Sequence, residues 1–181
     1  MDGHRTHKTS GHHAGVTDVI DLRPDAACKR LRECANQREA CEVVREIVSN
    51  LLGCEEMALF EVDRNQGHLS LIWSFGIEPK AFHLPSVFKD EALPRVMAGE
   101  VYLQHDGVDA GHFSHGRKIS AVVPIKFRGK IAGALALLRL LPQKAAIDEL
   151  DRGVFAVLSR EAGEPLFGGA TSSPANRERN Q

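Results

Sequence analysis

No apolar run in this chain is long enough to cross a membrane. The longest, Ile131–Leu138, falls far short of the roughly 20 residues a spanning helix needs. The N-terminus, MDGHRTHKTSGHH, has no apolar segment and does not read as a secretory signal. There is no excess of charge of one sign either. Twenty-three basic residues meet 24 acidic ones, a formal charge of −1 that gives nucleic acid or anionic lipid no field to follow. Basic stretches such as Lys29-Arg30-Leu31-Arg32 have acids close by and read as solvated helix faces. These absences point to a cytoplasmic protein that neither inserts into membranes nor takes nucleic acid as a partner.

Cysteine is informative by where it is missing. Cys28, Cys34, Cys41 and Cys54 all precede the first predicted strand, and no cysteine follows. No CxxC pair exists, which argues against a structural zinc ribbon. In a reducing compartment the four read as free, small apolar residues. Cys34 and Cys41 stand two turns apart on one helical face, too far to bridge within a helix.

What is present is one domain of ordinary size: 181 residues, 43% apolar and 26% charged. Residues 1–24 are rich in Gly, His and Ser and read as a disordered tail, with His4, His7, His12 and His13 incidental to it. Residues 167–181 read as a second tail, leaving a domain over 25–166 with an N-terminal helical extension.

From Asp25 to Leu52, apolar residues recur at Cys28, Leu31, Cys34, Cys41, Val44, Val48 and Leu51, a helical stripe that Asn36 and Gln37 interrupt. It is one helix with a soft middle or two helices, and Gly53 stands at its C′ position. EMALFEVD (56–63) is apolar on both faces, as a covered central strand is. HLSLIWSF (68–75) alternates, with Leu69, Leu71, Trp73 and Phe75 expected on one face. The turn residues Asp63, Asn65 and Gly67 join the two as a hairpin.

Residues 76–100 contain Pro79, Pro85 and Pro94 and leave room for one short helix around Phe88–Met97. VYLQ (101–104) is a short strand. ISAVVPIKF (119–127) and KIAGALALLRL (130–140) form a second hairpin around Arg128-Gly129. A last helix over 144–162 places Ile147, Leu150, Val154, Phe155 and Leu158 on one face, and Pro165 ends it. Strands bracketed by helices imply an α+β fold: an antiparallel sheet of five to six strands, helices on one side.

Residues 39–162 resemble a GAF domain. The likeness rests on LLGCEEMALFEVD and on SAVVPIKFRGKIAGALALLRL, where Ser120, Pro124, Gly129 and Gly133 occupy the family's places. The resemblance implies terminal helices on one sheet face, with residues 76–118 capping the other over a ligand cavity. It also implies a signalling role. The family's cyclic-nucleotide signature is not matched, since Phe88-Lys89-Asp90-Glu91 has the wrong order and lacks Asn-Lys. Bilin attachment and methionine sulfoxide reduction need pocket cysteines, and none follows Cys54.

Trp73, Phe75, Phe82, His83, Phe88, Phe113 and Arg117 form the candidate pocket lining, with a filled core as the alternative for Trp73 and Phe75. The loop HDGVDAGHFSHGRK (105–118) offers His105, Asp106, Asp109, His112 and His115 as candidate ligands for iron, zinc or a haem. Its glycines Gly107, Gly111 and Gly116 favour a solvated loop instead. The expectation is a stand-alone, non-catalytic bacterial signalling module without a cofactor. It acts on another signalling protein and dimerises through its terminal helices, the stripe Cys34, Cys41, Val48 forming the seam. The alternative is a ligand, metal or haem sensor, or a small enzyme, built on the histidine loop.

Overall fold

The interruption at Asn36 is a boundary between two helices. In the computed structural model, which describes residues 24–63, 68–78, 92–104, 112–113, 117–141 and 147–169, α1 runs Pro24–Glu33 and α2 runs Gln37–Leu51. Asn36 is extended, with φ −158° and ψ 167°, and its Oδ1 accepts the Glu39 N–H at 2.9 Å. The Glu39 carboxylate accepts the Ala35 N–H at 2.7 Å, so both sides of the break are tied by side chains. Gly53, with φ 61°, follows α2 as expected.

β1 (Cys54–Asp63) and β2 (His68–Phe75) then pair antiparallel, and α3 (Ala92–Met97) follows. Pro94 sits in the first turn of this six-residue helix, where its missing N–H has no partner to lose. β3 (Tyr102–Leu103) leads to a ribbon of β4 (His112–Phe113) with β5 (Arg117–Lys118). β6 (Ala121–Phe127) and β7 (Lys130–Leu140) make the second hairpin, closed by Arg128 and Gly129 at φ 50° and 75°. Ser120 donates its hydroxyl to the Leu138 carbonyl at 2.7 Å, pinning the entry of β6 to β7. Pro124 lies beyond the two residues that β3 pairs, so β6 carries it where only β7 needs a ladder.

The result is a five-stranded antiparallel sheet in the order β2-β1-β7-β6-β3, an α+β architecture. β1 and β7 lie inside it and are apolar on both faces because both are covered. On one face α1, α2, α4 (Glu149–Glu161) and α5 (Gly163–Phe167) bury Leu31, Val48, Phe155 and Leu158 against Met57, Leu59, Val123 and Leu135. On the other, Ala92 and Val96 of α3 pack with Ala58, Phe60, Tyr102, Ala134 and Ala136. No helix among the described residues is long and apolar enough to cross a membrane.

Three local expectations are corrected. The register slips between Leu59 and Phe60 of β1, pairing Leu59 with Trp73 but Phe60 with Leu71, so Ile72 is the extra residue. That bulge reverses the alternation: Leu69 and Leu71 join the α3 side, while Trp73 and Phe75 join the helix side. Leu150 is 82% exposed. The buried face of α4 begins instead at Asp151, which is in a capping box with Asp148 and sets the helical phase for Val154, Phe155 and Leu158. Pro165 does not end that helix; α4 stops at Glu161, and Pro165 lies in the first turn of α5.

Candidate functional site

The face opposite the helix layer is where the candidate cavity was expected. Its floor is made of small side chains, Ala58 from β1 and Ala134 and Ala136 from β7, flanked by the fully buried Phe60 and Tyr102. α3 covers part of it, with Ile77, Ile119 and Val122 filling between. At the edge, Glu56 is buried where β1 shifts register, and Arg139 brings its Nε to 3.7 Å from it and its Nη2 to 2.6 Å from Glu55. The charge of Glu56 at the head of an otherwise apolar strand is its signal in the sequence.

The predicted lining residues are divided. Trp73 and Phe75 lie on the helix side, their rings stacked at 6.5 Å and 13°, and the Arg45 guanidinium of α2 sits 5.1 Å over Phe75. Arg45 holds them there, on the opposite side of the sheet from α3. Pairing in the ribbon sets Phe113 opposite Arg117 and His112 opposite Lys118, though the side chains of these four are outside the described part. Phe82, His83, Phe88, His105, Asp106, Asp109 and His115 lie outside the described residues altogether, as do 1–23 and 170–181. Among the described residues no three His, Cys, Asp or Glu side chains are grouped to hold a metal.

The four cysteines are free thiols. Burial pushes Cys41 up to about 11, with the neighbouring Glu42 adding to the shift. Cys54 is also raised by burial, and its Sγ–H donates to the Glu56 carbonyl at 3.2 Å. Cys34 is raised by burial and then by Glu39, and donates to the Arg30 carbonyl at 3.3 Å. Thiols held this way stay protonated at neutral pH and make poor nucleophiles.

The helical extension also lies differently from a coiled-coil arm. Ala27 and Leu31 of α1 are buried within the domain's own core, and Arg30 pairs with Glu46 of α2. Cys34, Cys41 and Val48 do not share one helix, and Cys41 and Val48 are buried inside the chain. Part of the apolar stripe, Ala27, Leu31, Cys41 and Val48, is thus buried within the chain, while Cys28 and Cys34 are half-buried.

Comparison with known proteins agrees with this architecture. A family model for the GAF domain matches residues 11–164. The GAF domain of an Acinetobacter phosphoenolpyruvate-protein phosphotransferase superposes with a TM-score of 0.60 at 13% identity, over 85% of this chain and 96% of that one. The corresponding domain from Coxiella burnetii gives 0.60 at 15%, over 78% and 89%. The GAF domain/HD domain protein of Geobacter sulfurreducens gives 0.57 at 13%, over 76% and 98%. At such identities these likenesses show the fold alone. No curated protein matches the chain. With its sheet order, its terminal helices on one face and its family match over most of its length, the chain belongs to the GAF domain family.

Proposed function

We propose that this GAF domain is a non-catalytic cytoplasmic signalling module whose output is contact with another protein. The observation that carries the reading is the state of its thiols. The fold's thiol chemistry needs an activated cysteine, and here Cys41 is pushed up to about 11 while Cys34 and Cys54 are raised as well.

A photo-crosslinking residue at the exposed Ala156 of α4, in the full chain inside cells, tests the output directly. The expected result is a discrete adduct with one other protein that is lost when the neighbouring, exposed Arg152 is changed to Glu with the crosslinker kept in place. Adducts of the chain with itself alone would refute the contact. Turnover of free methionine sulfoxide with a thiol reductant would refute the non-catalytic reading.

A further inference from the structure

The helix layer carries a recess of its own, about 440 Å³, on the opposite side of the sheet from α3. Arg32 at the end of α1 and Arg160 at the end of α4 stand on its walls, with Gln37, Glu161 and the backbone of Gly168 between them. Arg32 Nε donates to Glu161 Oε2 at 2.8 Å and Arg160 Nε to Glu161 Oε1 at 2.7 Å. One carboxylate thus holds two guanidiniums, one on each oxygen, and each arginine spends only its Nε–H on it. The Glu161 side chain is 11% exposed, whereas those of Arg32 and Arg160 are 66% and 68% exposed. Both guanidiniums thus line the recess and remain largely open to solvent, and Arg160 also contacts the Cys28 thiol.

Two guanidiniums held in fixed relation present the donor geometry that phosphate and carboxylate groups match. Glu161 and Glu164 together balance the two arginines, so the recess carries no net charge and takes a group that meets its donors rather than negative charge in general. Held by Glu161, the arginines lose less side-chain freedom on binding than free ones would. Nothing in this arrangement depends on the signalling reading above.

We propose that this recess binds the oxyanion group of a small ligand, a phosphate or a carboxylate, between Arg32 and Arg160, with Glu161 as the residue that positions both. Because the walls come from α1, α2, α4 and α5, a bound oxyanion ties the first helix to the last.

The full chain is titrated with inorganic phosphate and, separately, with citrate, against sodium chloride at matched ionic strength, following the melting temperature and the heat of binding. A saturable response to phosphate alone identifies a phosphate ligand, and one to citrate alone a carboxylate ligand. Either supports the site. The response should vanish in Arg32→Gln/Arg160→Gln and persist in Lys29→Gln/Arg152→Gln, which removes the same charge from exposed positions outside the recess. Glu161→Gln leaves one acceptor oxygen for two guanidinium Nε–H groups, so one arginine is released from its position and binding should weaken several-fold while the variant stays folded. No saturable response to either anion, or an unchanged response in Arg32→Gln/Arg160→Gln, would overturn the site. So would a folded Glu161→Gln variant that binds the anion as tightly as the parent does.

Discussion

Replacing Gly133 by alanine adds one methyl group at a close crossing between sheet and helix layer. Gly133 does not need a positive φ, so alanine suits its backbone, and on conformational grounds alone the change would stabilise by about 0.5–1 kcal/mol. Packing reverses that sign. The new Cβ would stand 2.3 Å from the Phe60 carbonyl oxygen and 2.5 Å from Cζ of Phe167. The Phe167 ring, at the end of α5, has room to turn only by giving up its buried seat. The Phe60 carbonyl has less freedom still, because Phe60 pairs with Ala134 and Glu61 with Gly133 in the β1–β7 ladder. Overpacking against backbone should therefore dominate, for a net loss of about 2–3 kcal/mol and a fall in Tm of about 6–12 °C. Urea unfolding followed by circular dichroism measures it. A double-mutant cycle with Phe167→Ala separates the two contacts: if the carbonyl decides, removing the ring rescues less than about 1 kcal/mol. A Gly133→Ala protein as stable as the parent, or full rescue by Phe167→Ala, would refute the reasoning.

Leu31→Ala should cost about 2–4 kcal/mol in the same unfolding assay, because Leu31 is fully buried; a loss under about 0.5 kcal/mol would mean that α1 is not docked. Asn36→Ala removes the acceptor for the Glu39 N–H and should cost about 1 kcal/mol, with Asn36→Asp close to the parent. In native buffer a thiol reagent should label Cys28 and Cys34, which are half-buried, while Cys41 and Cys54 react only on unfolding. The hydrogen bonds from Arg32 and then Arg160 hold the Glu161 carboxyl at about 2, below its ordinary 4.5. Its ionised form thus favours folding above about pH 4.5, and that contribution fades as pH falls toward 2. Because both arginines are exposed, the stability gap between parent and Glu161→Gln should be only about 1 kcal/mol at neutral pH, closing near pH 2.

The sequence alone determined most of the elements and their order, but not α5 or the β4–β5 ribbon inside the stretch that reads as a loop. Periodicity placed β2 and β7 at their ends and β6 at its C-terminal end, composition placed the Arg128-Gly129 turn, and the apolar run of β1 announced a sheet covered on both faces. These are local properties, set by side-chain period and by which residues tolerate a positive φ. Tertiary structure decided what depends on pairing at a distance. A bulge at Ile72 turned Trp73 and Phe75 from the expected pocket side to the helix side, because register belongs to two strands and not to one. The capping box at Asp148 set the phase of α4 and left Leu150 outside, although the spacing of apolar residues fitted either phase. The stripe of α1 was legible as apolar, but what it packs on was not: α2, α4 and α5 bury Ala27 and Leu31 in a core that only the folded chain assembles. The recess is the plainest case, since Arg32 and Glu161 are 129 residues apart and carry no signal of each other until the first and last helices lie side by side on one sheet face.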